Sequence, residues 1–402
     1  MMRAGLLAVL WALALTPAAH AQFSSGSTGS DGALNLTTQG TVVFDPVAMG
    51  LNPAGDNVFN FTTINIASGA TVVMTAGRLR NKPVIWLASG AVTIAGNLNL
   101  QGADGAAMNT SNPGETRFPA MPGPGGFPGG LGGYLNSPAT AGGGFGGGSA
   151  GTGTSGTTAA NGGYGVYGYQ NIQLVPLVGG TGGGGGAIVT GTIAGGNGGA
   201  GGGALRIVSS TSISVTGTIN AYGGAGGGGV STLANPSSGG YGSGGAIHLI
   251  APTVTNVGYL VVQNSANTAD AGVVKISATN AQVSGGGGST PTVGPLFLPP
   301  LPSGAPAVQV VSVNGIPAPG AITGSLLAPD FTISAASPVI VNIAAQNIPL
   351  GTVVNLLLSS EQGNDSVVAC SGLAGTITNS TATCIGAAFP QGVTLTDIKA
   401  NW

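Results

Sequence analysis

The sequence predicts an all-β protein: a right-handed parallel β-helix, a solenoid with long glycine-rich loops, followed by a small β-sandwich. Three observations predict it. Short segments rich in Val, Ile and Thr alternate apolar and polar residues, the two-residue period of a strand. Those segments recur in a common frame through the middle of the chain. The punctuation then changes near residue 307, where short strand patterns follow one another at the spacing of a sandwich.

The chain opens on a pattern that reads as a secretory signal peptide, residues 1–21. Arg3 precedes an apolar run from Leu6 to Leu15, then Pro17 and Ala19-His20-Ala21 before Gln22, the small-x-small pattern that a signal peptidase accepts. The run is shorter than the roughly 20 residues a membrane helix needs. A mature chain beginning at Gln22 is therefore expected outside the cytoplasm, extracellular or at the cell surface, and not membrane-spanning.

Residues 22–284 carry the repeats. Ala67-Ser68-Gly69-Ala70 recurs as Ala88-Ser89-Gly90-Ala91, an offset of 21 residues. The strand Val84-Ile85-Trp86-Leu87 returns as Ala204-Leu205-Arg206-Ile207, Ala246-Ile247-His248-Leu249 and Val273-Val274-Lys275-Ile276, with Thr63-Ile64-Asn65-Ile66 as the earliest copy. A period near 21 with two or three short strands per unit predicts stacked coils that bury alternate residues along one interior. In this alignment the second and fourth residues of each strand point inward. The recurring Gly96, Gly217 and Gly258 then fall at corners where a side chain would obstruct the bend. A β-sandwich could be built from similar strands, but the repeated frame favours the solenoid.

Two glycine-rich insertions interrupt the repeats, at about 101–186 and 223–245. They read either as flexible surface loops or as extended polyproline-like helices packed side by side, which glycine permits by letting backbones approach closely. In the second case Tyr134, Tyr164, Tyr167, Tyr169, Tyr222 and Tyr241 would be spaced aromatic contacts. Residues 285–306 read as a Gly/Pro-rich linker. Residues 307–402 then read as an immunoglobulin-like β-sandwich, with strands expected at 308–313, 331–334, 339–345, 353–359, 366–369, 376–378 and 393–398. Cys370 and Cys384, the two cysteines of the chain, are expected to form a disulfide clipping a local hairpin.

The unit from Ala204 to Ser210, preceded by three glycines and followed by Ser214-Val-Thr-Gly-Thr-Ile-Asn-Ala-Tyr-Gly-Gly, resembles glycine-rich parallel β-helix repeats of exported, uncharacterised proteins of environmental bacteria. The tail, Asn347-Ile-Pro-Leu-Gly-Thr-Val-Val and Ser380-Thr-Ala-Thr-Cys384, resembles the C-terminal sandwich domain that accompanies some of them. The resemblance implies surface or matrix association and transfers no catalytic residue.

Composition narrows the function. Charged residues make up 4% of the chain and the formal net charge is −2, which gives no field to attract nucleic acid. Asp45, Asp56, Asp104, Glu115 and Asp270 of the repeat region lie off the repeated frame, so stacking would not converge them on a sugar as glycoside cleavage requires. No metal or cofactor motif appears. The one candidate binding site is a column of outward residues, Trp86, Arg206, His248 and Lys275, with Asn65 at its start, where an indole beside basic groups could hold a glycan. The plainer reading is that these residues simply face solvent. The expected function is thus a non-catalytic structural or adhesive surface protein, with the β-helix as spacer and the C-terminal domain as attachment or recognition module. The alternative is a carbohydrate-binding protein using a solenoid face or the loops, and a polysaccharide lyase or hydrolase is a distant third. Extracellular glycans or other surface proteins are the expected partners.

Overall fold

The computed structural model describes residues 23–400 except 53–54, 108–117, 135–136, 153–164, 168–171, 189–193, 230–236, 265–271, 286–288, 302–305, 320–328, 331, 335–337, 361–365 and 390–391. The signal-peptide segment 1–21, Glu115, Tyr164, Tyr169 and Asp270 lie outside the described residues. The described chain is all-β, without an α-helix.

Residues 34–294 build parallel ladders of three kinds. The first holds β3 (Val58–Phe61), β6 (Val84–Ala88), β9 (Ala204–Ser209), the leading halves of β12 (Ala246–Asn256) and β14 (Val273–Val283), and β15 (Thr292–Gly294). The second holds β1 (Leu34–Leu36), β4 (Ile64–Ile66), β7 (Val92–Ile94), β10 (Ser212–Val215) and the trailing halves of β12 and β14. The third holds β2 (Gly40–Val43), β5 (Ala70–Val73), β8 (Asn97–Asn99), β11 (Thr218–Asn220) and β13 (Tyr259–Val261). The chain visits the ladders in rotation: β3, β4 and β5, then β6, β7 and β8, then β9, β10 and β11. β12 and β14 run without a break from the first ladder into the second, so these two ladders join as one 10-stranded sheet.

A single apolar interior lies between the ladders. Phe59, Trp86, Ile207, Leu249 and Ile276 face one another in register along the first, Ile66, Ile94 and Val215 along the second, and Val72, Leu98, Ile219 and Leu260 along the third. Each such side chain contributes about 1.5–3 kcal/mol by leaving water.

The register corrects the sequence alignment in two places. Val84 pairs with Leu205 and Trp86 with Ile207, so the expected match of Ile85 to Leu205 is one residue out. A one-residue shift exchanges the faces of a strand. The error arises because β6 is buried on both faces and offers no apolar–polar alternation to fix it. Ile64 to Ile66, read as a first-strand copy, instead pairs with β1 and β7 in the second ladder. The spacing is also longer than 21: the Ser89 hydroxyl donates to the Thr62 backbone carbonyl of the neighbouring layer across 27 positions, and the His248 and Ser277 side chains meet across 29. The corner glycines have a direct cause. A Cβ on Gly217 would overlap the carbonyl oxygen of Gly96, and one on Gly258 that of Gly217.

The glycine-rich insertions are built as extended segments bonded to one another at every third residue. Gly180, Gly183 and Gly186 donate to Gly202, Gly199 and Gly196, while Gly196, Gly199 and Gly202 donate to Ser237, Gly240 and Ser243. Phe127, Gly130 and Gly133 donate to Gly180, Gly183 and Gly186. A three-residue step is the period of the polyproline II helix, which has no internal hydrogen bonds and turns its amides outward. Here the outward amides meet neighbouring segments, leaving no room for side chains: a Cβ on Gly183, Gly198 or Gly201 would overlap a neighbouring carbonyl. Buried polar side chains pin the bundle. Asn197 accepts from the Gly132 amide (2.8 Å) and donates to the Phe118 carbonyl (2.9 Å).

The stretch 285–306 is not wholly a linker. It contributes β15 to the first ladder, and Leu296 and Leu298 pack against the outer face of that ladder. Beyond it the sheets are antiparallel. One, five-stranded, contains β16 (Ala307–Val313), β17 (Ile316–Pro317), β18 (Val339–Gln346), β21 (Ala374–Thr376) and β22 (Asn379–Ala387). The other, three-stranded, contains β19 (Val353–Ser360), β20 (Ser366–Gly372) and β23 (Thr394–Ala400). Val341 and Ile343 from the first and Val354, Leu356 and Leu358 from the second share one core. The strand expected at 331–334 is absent from its described residues, 332–334, and β22 was not foreseen. Cys370 of β20 and Cys384 of β22 are disulfide-bonded, so the bridge ties one sheet to the other rather than clipping a hairpin.

Candidate functional site: a buried basic column

The outer face of the first ladder carries the column Val58–Ile85–Arg206–His248–Lys275, in strict register across five strands. Three of the four residues expected there from sequence are present. Trp86 is not. The register turns its indole into the interior, fully buried, with ring centroids 5.4 Å from Phe44 and 6.0 Å from Phe61. Asn65 also leaves the column, because β4 belongs to the second ladder. An aromatic-plus-basic glycan platform is therefore not what this face presents.

The basic residues do not face solvent either. Arg206 is 2% exposed, His248 0% and Lys275 7%. An apolar layer of Tyr167, Leu174 and Leu177 from the insertion covers them together with Ile85, Val208 and Ile250. Sequence reasoning missed this cover because its bonds join distant residues. Arg206 Nη2 donates to the Leu174 carbonyl at 2.8 Å across 32 positions, and Lys275 Nζ donates to Gln173 Oε1 across 102. The Tyr167 hydroxyl donates to the Val178 carbonyl at 3.1 Å, fixing the same layer.

His248 Nε2 and the Ser277 hydroxyl lie 3.1 Å apart. His248 Nδ1 and Arg206 Nε are buried without a partner. The electrostatics follow from burial. It lowers the Arg206 pKa to about 10 and that of His248 to about 3, the latter with help from the Arg206 and Lys275 charges. Lys275 is lowered as well, by burial first and by Arg206 second. Among the described residues the one ion pair is Arg78–Asp45, which involves none of these basic residues, and no group of three or more His, Cys, Asp or Glu is placed to hold a metal. At neutral pH His248 is thus an uncharged spacer between two cations.

A second column runs along the outer face of the second ladder: Asn35, Asn65, Thr93, Ser214, Thr255 and Gln282. All are neutral hydrogen-bonding side chains, repeated at the strand spacing of about 4.8 Å. None is fully buried.

No protein-family model matches the chain, no curated protein matches it, and no solved structure matches its fold.

Proposed function

We propose that this is an exported, non-catalytic structural or adhesive surface protein of a bacterium, related to glycine-rich β-helix repeat proteins. The rotating parallel ladders act as a right-handed parallel β-helix spacer, and the C-terminal sheets act as an immunoglobulin-like attachment or recognition module. The observation that carries this reading is the glycine bundle. Its segments are laced amide to carbonyl at every third residue, so the insertions stiffen the stack instead of leaving it. An apolar stack whose insertions are held by backbone bonds needs few charges, in keeping with a chain that has 4% charged residues. The interior disulfide suits an oxidising compartment. The test is to express the full-length chain in a bacterial host, fractionate the cells and label intact cells with an antibody to residues 307–402. Processing before Gln22 and surface labelling support the proposal. An unprocessed chain confined to the cytoplasm defeats it.

A second reading, carbohydrate binding, draws on the Asn35–Gln282 column, whose regular amides and hydroxyls could follow an extended neutral polysaccharide. A glycan array with the mature chain beside a Thr93→Val/Ser214→Ala/Thr255→Val variant tests it. Saturable binding that the triple substitution weakens would favour this reading over the first.

A further inference from the structure

Two cations, Arg206 and Lys275, flank His248 on adjacent strands beneath an apolar cover, and no described carboxylate reaches them. Asp45 is engaged by Arg78, and Asp31 accepts from the amides of Asn52 and Asn60. Asp56 accepts from the Val58 amide and Asp104 from that of Ala225. An arginine keeps its charge in a protein interior, and a buried charge without a counter-charge is strongly unfavourable. The two neutral acceptors present, the Leu174 carbonyl and Gln173 Oε1, take one donor from Arg206 and one from Lys275. That leaves Arg206 Nε and His248 Nδ1 on neighbouring strands, both buried, both without a hydrogen-bond partner. Buried polar atoms are satisfied in the great majority of cases, so a pair of them beside two positive charges points to a missing anionic acceptor.

We propose that the outer face of the first ladder holds one small inorganic anion, bound between Arg206 Nε and His248 Nδ1 beneath residues 172–178. Both nitrogens donate to it, His248 in the tautomer protonated at Nδ1 with Nε2 accepting from the Ser277 hydroxyl. The anion supplies the counter-charge that no described carboxylate does. It also links the insertion to the ladder, because the Leu174 carbonyl already rests on the same guanidinium. Chloride and a tetrahedral oxyanion would both meet these two donors, and the experiment separates the two.

The test uses the mature chain from Gln22, exchanged into gluconate buffer at fixed ionic strength and titrated with sodium chloride or sodium sulfate. The unfolding temperature of the wild type is expected to rise and saturate with chloride, as a ligand bound to the folded state alone requires. Arg206→Met and His248→Leu are expected to lose that saturable rise. Saturation with sulfate alone would assign the site to an oxyanion and would still support it. Parallel, unsaturating curves in wild type and Arg206→Met would overturn it, since that is a general salt effect. Should the variants fail to fold, equilibrium dialysis of the wild type against radiolabelled chloride and sulfate decides the matter. About one bound anion per chain supports the site, and none of either kind sinks it.

Discussion

The amide of Gly199 donates to the carbonyl oxygen of Gly240 at 2.9 Å, while a Cβ on Gly199 would overlap the carbonyls of Gly224 and Ala225. The same residue thus carries a bond on one side and permits a close approach on the other. Glycine at this position is a packing requirement as much as a backbone preference, and all three of these neighbours belong to the second insertion.

Substitution therefore separates two classes of glycine. Gly199→Ala is expected to destabilise the chain by about 1–3 kcal/mol, the cost of forcing volume into a filled interior. Gly228→Ala, where a Cβ meets nothing within 4 Å, is expected to be close to neutral. Urea denaturation of the two variants beside the wild type checks this. Equal, small effects at both positions would mean that the insertions do not hold the packed arrangement in solution.

Trp86 belongs to the core, and its replacement should behave accordingly. Its indole lies between Phe44 and Phe61, and its Nε1 has no hydrogen-bond partner. Trp86→Ala is expected to cost about 3–5 kcal/mol through lost contacts and a residual cavity. Trp86→Phe is expected to cost far less, because it keeps an aromatic ring and removes an unsatisfied donor. A glycan screen should find no binding that Trp86→Ala abolishes while leaving stability intact.

How much of this was legible in the sequence depends on which faces a strand shows. β4, β7 and β10 alternate cleanly, so their inward residues can be read from period alone. β6 and β9 are buried throughout, and the period says nothing about which side of Trp86 or Arg206 is inside. The basic column survived as a set because Arg206, His248 and Lys275 occupy the same place in three similar strands. Its burial did not, since the cover comes from residues 167–178 inside a segment whose composition alone suggests a loop. The three-residue lacing is equally hidden: runs of glycine carry no side-chain pattern by which to choose a partner.

The disulfide is the one covalent tie in the C-terminal sheets. Cys370 and Cys384 are 14 residues apart and belong to different sheets. Closing a loop of that size in the unfolded chain contributes about 3 kcal/mol. Reduction, or a Cys370→Ala/Cys384→Ala double variant, is expected to lower the denaturation midpoint of the C-terminal transition. A parallel loss in the ladder transition would show that the two cores unfold together.

His248 gives the ladder a pH dependence with a definite sign. Its folded pKa is lowered to about 3 against an ordinary 6.5. Between those values the unfolded chain holds a proton that the folded chain refuses, so stability falls as pH drops through that window and is unaffected above it. The slope cannot exceed about 1.4 kcal/mol per pH unit for one proton. In anion-free buffer the difference in unfolding free energy between wild type and His248→Leu should therefore change steadily from about pH 6 to about pH 4. Carboxylates titrating in the same range cancel in that difference, because the variant retains them. A bound anion beside Nδ1 would favour the imidazolium and raise its pKa, so adding chloride should flatten the slope. A slope that chloride leaves untouched would place the protonation apart from the anion, and a slope of zero would show that His248 is not buried as a neutral ring.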